Sequence, residues 1–167
     1  MSKYLTNYEG NIFIGNKNLH DLNESELKNN ITIISQNECL FSDTLENNIK
    51  LFRNINDEEY EKILKISKVD LIRNKKKFRN NFLIEENGFN LSGGERQKIV
   101  LARALLNNFN YLILDEALSE VGSDEEIQII SDIRKNFNNK TIIYVSHKKD
   151  IINFFDTKYK FGKEQLC

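Results

Sequence analysis

A Ser-Gly-Gly turn at residues 92–94 stands at the start of a predicted helix, which runs from about Ser92 to Asn107. The first N–H groups of a helix are unpaired and lie at the positive end of its dipole, so such a start favours a bound anion such as phosphate. Glycine keeps this backbone accessible because it has no side chain to hold the anion away. A capping box between Ser92 and Glu95 explains two of these residues equally well, but it leaves the paired glycines and Arg96–Gln97 without a reason.

Two acids, Asp115 and Glu116, follow the apolar run 111–114 further along the chain. A near-continuous apolar run predicts a parallel strand that is covered on both faces. A strand that ends in an Asp and a Glu is one way in which phosphoryl-transfer sites hold Mg²⁺ and activate a water molecule. Taken alone, the acid pair fits a helix cap as well as it fits a catalytic site.

Two further polar residues stand at predicted strand ends. Gln36 follows the β-branched run 31–34, and His147 follows the apolar run 141–145. A single glutamine after a strand is most often part of a polar surface, and a single histidine, such as His20, is most often structural or exposed. Neither residue by itself therefore indicates a site.

In combination, these segments resemble the motifs of ABC-type ATPases. The matches, in chain order, are a Q-loop of the exporter type at Gln36 and Leu40–Ile49, the exporter segment that senses the transmembrane domain at Glu86–Gly88, the signature at Leu91–Gln97, Walker B at Tyr111–Glu116, and the H-loop at His147. The matches extend over nearly the whole chain. Their order along the chain makes the strand-end residues specific where each one alone is not.

The resemblance implies an ATPase of the exporter type, in which two nucleotide-binding domains sandwich ATP between the P-loop of one and the signature of the other. It assigns catalytic roles to Glu116, His147 and Gln36, and it makes Asp115 and Gln36 the ligands of Mg²⁺. It assigns the binding of ATP to Ser92, Gly93, Gly94 and Glu95. The partners it implies are a second nucleotide-binding domain and a transmembrane permease, and the location it implies is cytoplasmic, at the inner face of the cell membrane.

The order of the predicted elements indicates an α/β fold, namely an incomplete parallel sheet of the P-loop NTPase type with an inserted helical subdomain. The α/β core is expected at residues 1–36 and 108–167, and the helical subdomain, with the signature helix, at residues 37–107. We expect, in chain order, a short strand in 10–15, a turn and short helix in 19–27, a buried strand at 31–34, helices only from 44 to the signature helix, buried strands at 111–114 and 141–145, helices at 124–137 and 148–154, and an edge strand at 158–161.

The composition excludes several classes of protein. A formal net charge of -1 over 167 residues does not favour nucleic acid as a partner. DNA-repair and chromosome-structure ATPases share the signature, but the segment from Gln36 to Ser92 is too short for their long coiled coils. Translation-associated relatives carry two cassettes in one chain, which this length does not allow.

The two cysteines, Cys39 and Cys167, lie far apart in the sequence and form no C-x-x-C motif, so we interpret them as reduced thiols of a cytosolic protein. No apolar run in the sequence is long enough to cross a bilayer.

Two departures from the family pattern bear on activity. The sequence contains no G-x-x-x-x-G-K-[ST] motif, so it resembles a domain truncated before its Walker A loop. Gly122 stands where the family's loop after Walker B usually ends in aspartate. We therefore expect the isolated chain to bind ATP very weakly and to hydrolyse almost none. Three interpretations stay open: the ATPase domain of an exporter, a non-catalytic partner that lends only its signature, and a gene remnant or a start set too late, with Met1 an internal methionine.

Overall fold

The computed structural model of the chain describes residues 9–35, 38–75 and 81–160. The strands are β1 (Phe13–Ile14), β2 (Lys17–Asn18), β3 (Ile31–Ile34), β4 (Asp43–Thr44), β5 (Leu83–Ile84), β6 (Tyr111–Asp115) and β7 (Thr141–Val145). The α-helices are α1 (Glu24–Asn30), α2 (Leu45–Lys50), α3 (Asp57–Ile66), α4 (Val69–Lys75), α5 (Gly93–Leu105) and α6 (Ser123–Asn136). Single 3₁₀ turns lie at Leu19–Asp21, Glu86–Gly88 and Asp150–Phe154.

A three-stranded parallel sheet forms the centre of the fold, with β6 between β3 and β7. The register places Ile34 beside Leu114 and Leu114 beside Tyr144. Because the strands run parallel, their carboxyl ends meet at one edge of the sheet. The predicted α/β class and parallel sheet are therefore confirmed, and the strands at 31–34 and 141–145 have the predicted bounds. The prediction that 141–145 is a buried strand is wrong, because none of its residues is buried and Ile143 and Val145 are exposed.

The two faces of this sheet are covered to different extents. Leu112 and Leu114 are fully buried on the face that packs against the main core, which also contains α5 and α6 residues such as Ile99 and Ile129. Alternation along the strand places Tyr111 and Ile113 on the opposite face, where they are only half-buried beside a small cluster around Leu22 and Leu27. The predicted coverage of both faces therefore holds fully on one side only.

The segment between β3 and α5 is not purely helical, so the prediction of an all-helical insert is wrong. β4 pairs with β5 in an antiparallel ladder, in which Asp43 lies opposite Ile84 and Thr44 opposite Leu83. Strands of two residues are too short to produce a hydrophobic period that could be recognised in the sequence. Helix α3 begins at Asp57, and the side chain of Asn56 caps it by accepting the N–H of Glu59 at 2.8 Å.

The ends of the described chain also differ from expectation. The strand expected in 10–15 is only Phe13–Ile14, paired with β2 across a turn in which Gly15 has a φ of +59°. The helix expected at 148–154 is the short 3₁₀ turn Asp150–Phe154. The edge strand expected at 158–161 is wrong for residues 158–160, which pair with no described strand, and residue 161 lies outside the described residues.

Asn48 joins α2 to the chain that precedes it and has no exposed surface. Its Nδ2 donates to the carbonyls of Phe41 at 2.9 Å and Thr44 at 3.1 Å, and its Oδ1 accepts the N–H of Phe41 at 2.8 Å. Backbone groups that would otherwise be buried without partners are thereby satisfied. One asparagine therefore holds the exposed segment 41–44 against the helical core.

Asn48→Ala should destabilise the chain by about 2–3 kcal/mol, because it leaves buried carbonyl and N–H groups unpaired. Urea unfolding followed by circular dichroism measures this change. Asn47→Ala is the matched control on the same helix. It removes one half-buried hydrogen bond to Asp43, at 2.8 Å, and should cost less than about 1 kcal/mol. Equal losses in the two variants would contradict the role given to Asn48.

Candidate functional site

The predicted reactive residues of β6 and β7 lie at the shared carboxyl edge of the sheet. Asp115 is the last residue of β6 and lies opposite Val145, the last residue of β7. The chain turns immediately after β6, and the N–H of Glu116 donates to the carbonyl of Val145 at 3.1 Å. His147 follows β7 by two residues. Neighbouring strands therefore deliver an acid pair and a histidine to one place.

Glu116 and His147 are in direct contact, with Oε1 and Nε2 2.9 Å apart. The imidazole is 90% exposed and the carboxylate 29% exposed, so the histidine can meet a ligand from solvent while the acid stays partly sheltered. Glu116 has a φ of +51°, a left-handed conformation that non-glycine residues rarely adopt. Such backbone geometry is concentrated at functional sites, where surrounding contacts hold it in place.

Asp115 is exposed, and its carboxylate makes no hydrogen bond or ion pair with any residue that the structure describes. It is therefore free to bind a cation. Within residues 9–35, 38–75 and 81–160, no cluster of three or more His, Cys, Asp or Glu side chains forms a ready metal site. Gln36, the other predicted metal ligand and a predicted catalytic residue, lies outside the described residues.

Ser92 caps α5, and the capping box expected from its sequence is present. Ser92 Oγ accepts the N–H of Glu95 at 3.3 Å, and Glu95 Oε2 accepts the N–H of Ser92 at 2.9 Å. The N–H groups of Gly93 and Gly94 donate to no acceptor within the described part of the chain. The capping box therefore leaves the two glycine amides without a partner among the described residues, as a phosphate-binding helix start would require.

The paired glycines also serve a purpose that the sequence did not reveal. A Cβ on Gly94 would lie 2.9 Å from the backbone carbonyl oxygen of Glu120, and a Cβ on Gly93 would lie 1.7 Å from Oε2 of the same residue. The loop 116–122, which begins at Glu116, therefore packs directly against the first turn of α5. Glycine is required at residue 94 for this close approach, independently of any bound phosphate.

Gln97 fastens the same two segments together. Its Nε2 donates to Ser119 Oγ at 3.0 Å, and its Oε1 accepts the N–H of Glu120 at 2.9 Å. The side chain is buried, so both polar ends need such partners. A glutamine on the buried face of an amphipathic helix is the signal in the sequence that could have pointed to this contact.

A cleft of about 240 Å³ opens beside this contact. It lies between the end of β3, the first turns of α5 and the loop 116–122, and polar residues such as Ser35, Glu38, Arg96 and Glu120 line it. The first turns of α5 and the loop 116–122 thus line the same accessible cleft.

The exposed segment near the predicted Q-loop is also tied to α5. Arg103 donates from Nη1 to the carbonyl of Cys39 at 2.9 Å and from Nε to the carbonyl of Asn48 at 2.8 Å. Its guanidinium lies 5.3 Å from the ring centre of Phe41. Burial lowers the pKa of Arg103, but a guanidinium stays charged at any physiological pH. α5 therefore connects the predicted signature to the segment that follows Gln36.

Gly122 precedes α6 and gives it no side-chain cap. A Cβ at this position would meet no atom within 4 Å, and its φ of -61° suits any residue. The glycine is therefore not required by packing, and an aspartate would fit here.

Gly94→Ala should destabilise the chain by about 1–3 kcal/mol, because the new Cβ overlaps a backbone oxygen that cannot move alone. Gly93→Ala is the matched control: its Cβ meets only the end of a flexible, exposed glutamate, and alanine favours the helix, so the change should stay within about 0.5 kcal/mol. Urea unfolding measures both. A larger loss for Gly93→Ala than for Gly94→Ala would show that the loop packs differently.

The chain is similar to a known protein family and to two proteins of known sequence. A family model described as ABC transporter matches residues 1–119. The microcin-J25 export ATP-binding/permease protein McjD of Escherichia coli is 32% identical, over 99% of this chain and 29% of its own length. The ATP-dependent lipid A-core flippase of Wigglesworthia glossinidia brevipalpis is 39% identical, over 89% of this chain and 26% of its own length.

A solved structure of similar fold is that of a bacterial Atm1-family ABC exporter with ATP bound. It matches with a TM-score of 0.80 and 28% sequence identity, over 87% of this chain and 26% of that chain. The chain thus spans between a quarter and a third of the length of the proteins it resembles. Since the family model matches well over half of its residues, the chain belongs to the ABC transporter family.

Proposed function

We propose that this chain is the ATP-binding and ATP-hydrolysing part of an ABC exporter and supplies energy for transport across a membrane. One observation carries the proposal: Glu116 contacts His147, and the loop 116–122 that begins at Glu116 is fastened by Gln97 to the first turn of α5, which carries Gly93 and Gly94. A general base, an imidazole and an anion-binding turn are the parts that phosphoryl transfer to water requires.

Glu116 is the proposed general base, which accepts a proton from the water that attacks the terminal phosphate. Its carboxylate is partly exposed at the sheet edge, within hydrogen-bond distance of His147 Nε2 at 2.9 Å. The imidazole is the proposed contact to the γ-phosphate, and its high exposure leaves room for that ligand. Gln36 is proposed to complete the site from the segment after β3.

Asp115 is the proposed protein ligand of Mg²⁺, together with Gln36. Mg²⁺ is commonly held by one or two carboxylates and completes its shell with water and substrate phosphates, so an exposed carboxylate without a protein partner fits this role. When bound, the ion would neutralise phosphate charge. The carboxylate stands next to the general base in sequence and at the same sheet edge.

The start of α5 is proposed to bind phosphates of an ATP molecule held by a second nucleotide-binding domain. The Ser92 hydroxyl and the N–H groups of Gly93 and Gly94 provide the contacts, and Glu95 keeps the turn in shape through its bond to the Ser92 N–H. The carboxylate of Glu120 lies over Gly93. Because this side chain is exposed, it can move away from a phosphate that binds at the glycine amides.

A transmembrane permease is the other proposed partner, at the inner face of the cell membrane. Large apolar side chains of the insert are exposed to solvent, among them Phe41 at 55%, Leu83 at 66% and Phe89 at 78%. Exposed apolar residues favour a protein interface where they share one patch, and Phe41 and Leu83 both lie in or next to the paired strands β4 and β5. In the described part of the chain, no helix is both long and apolar enough to span a membrane.

Glu116→Gln should abolish ATP turnover of the complete transporter that contains this chain, while ATP-dependent association of the two nucleotide-binding domains persists. The amide cannot accept the proton of the attacking water, and such a loss lowers the rate by roughly 10²–10⁴-fold. Phosphate release measures turnover, and analytical ultracentrifugation with ATP measures association. Asp124→Asn, an exposed carboxylate of α6, is the control and should keep the full rate.

Two results would change the proposal. Unchanged hydrolysis in Glu116→Gln with intact ATP-dependent association would leave the chain as a non-catalytic partner that lends only the start of α5. Unchanged hydrolysis without such association would exclude both roles. Saturable binding of a fluorescent ATP analogue by the isolated 167-residue chain at micromolar concentration would contradict the expectation that it binds ATP very weakly alone.

A further inference from the structure

A lysine next to His147 connects several parts of the site. Lys148 Nζ donates to Glu126 Oε2 at 2.6 Å, to the carbonyl of Val121 at 2.8 Å and to the carbonyl of Leu118 at 3.4 Å. An ammonium group has three N–H donors, so these three acceptors satisfy it completely. Contacts with both α6 and the loop 116–122 therefore hold the ammonium group of Lys148 in position.

Glu126 is the buried end of this cluster, with only 1% of the residue exposed. Its Oε1 accepts a hydrogen bond from the hydroxyl of Tyr144 on β7, and its Oε2 accepts from Lys148. Burial and the neighbouring Glu126 carboxylate raise the pKa of Tyr144, so the phenol keeps its proton and remains a donor. A buried carboxylate is stable only with such partners, and removing the cation would leave its charge uncompensated.

The cluster bears directly on the Glu116–His147 contact. Lys148 follows His147 in the chain, whereas Leu118 and Val121 belong to the loop that begins at Glu116. Gln97 holds this loop only from the side of α5, through Ser119 and Glu120. The bonds from Lys148 are thus a second, opposite attachment, and they join the loop after β6 to the loop after β7.

We propose that Lys148, supported by Glu126 and Tyr144, is a positioning residue that sets the distance between Glu116 and His147. The inference rests on the proposed function, in which these two side chains form the reaction centre. Lys148 itself touches neither of them through its ammonium group. It acts by fixing the two loops that carry them.

Nuclear magnetic resonance of the histidine ring nitrogens tests this proposal in the nucleotide-free chain. The chain has two histidines, so His20 provides a reference signal. Glu116→Gln should shift the His147 Nε2 resonance, because the two side chains are in contact. In the Lys148→Met background, Glu116→Gln should no longer shift it, because the loops have separated. Lys148→Arg keeps the donors and should retain the effect.

Hydrogen exchange gives a second test. It distinguishes a Lys148 that holds the loop 116–122 from a Lys148 that only stabilises the whole chain. The N–H groups of Ser119 and Val121 bond within the loop, to Glu116 and Leu118. In Lys148→Met they should exchange at least ~10-fold faster relative to the amides of α5, as expected for the loss of bonds to a charged donor. Lys68→Met is the matched control: it removes the ion pair of Lys68 with Asp132 on α6, at 2.7 Å, but touches neither loop.

The outcomes separate the possibilities. A His147 shift that persists in full in Lys148→Met would overturn the proposal, as would an equal acceleration of exchange in the loop and in α5. If Lys148→Met does not fold, Glu126→Gln carries the same test: it keeps the size of the side chain but replaces one acceptor oxygen with an N–H donor, so it can no longer accept from both Tyr144 and Lys148. Neither measurement uses ATP, so a failure of the proposed ATPase function would appear in turnover and leave these results unchanged.

Discussion

The packing of the loop after β6 against the first turn of α5 is the contact on which the site depends. A buried amide must satisfy both its donor and its acceptor, and Gln97 does so with two successive residues of that loop, Ser119 and Glu120. The absence of a side chain at Gly94 permits the approach. Without this contact, the helix start and the acid pair would not be held in a fixed position relative to each other.

The parallel sheet supplies the second constraint. Its strands end at one edge, so residues that are far apart in the chain become neighbours there, and ligands of open α/β sheets characteristically bind at this edge. β6 has strands on both sides, which places Asp115 and Glu116 in the middle of the edge. The left-handed backbone at Glu116 then turns the chain sharply and keeps its carboxylate beside His147 instead of continuing along the strand.

Helix α6 acts as an anchor for lysines that come from three different parts of the chain. Lys148 after β7 pairs with Glu126, Lys98 of α5 pairs with Glu125 at 2.9 Å, and Lys68 after α3 pairs with Asp132. Only Glu126 is fully buried, so it alone depends strictly on its cation. The other two pairs are partly exposed and contribute less, since solvent screens them. The loop after β7, helix α5 and the segment between α3 and α4 are therefore all fastened to α6.

The sequence by itself determined the features that arise from neighbouring residues. The apolar runs at 31–34 and 141–145 predicted their strands, and the spacing of Ser92 and Glu95 predicted a capping box that the structure contains. The order of the motifs indicated the family. These inferences succeed because hydrophobic period, capping and motif spacing are local properties, set by residues within a few positions of one another.

Only the tertiary structure decided which distant residues meet. The ladder of β4 with β5 joins segments some forty residues apart, and the bonds of Gln97 and Lys148 cross 22 to 30 positions of the chain. The same limit explains the wrong prediction at 158–160, where the chain pairs with no strand among the residues that the structure describes. The sequence gives the polarity and size of each side chain, but the partner of that side chain depends on how the whole chain packs. From the sequence, Gly94 is interpreted as an ATP-binding residue and Gln97 has no explanation. The structure shows that both residues contact the loop 116–122.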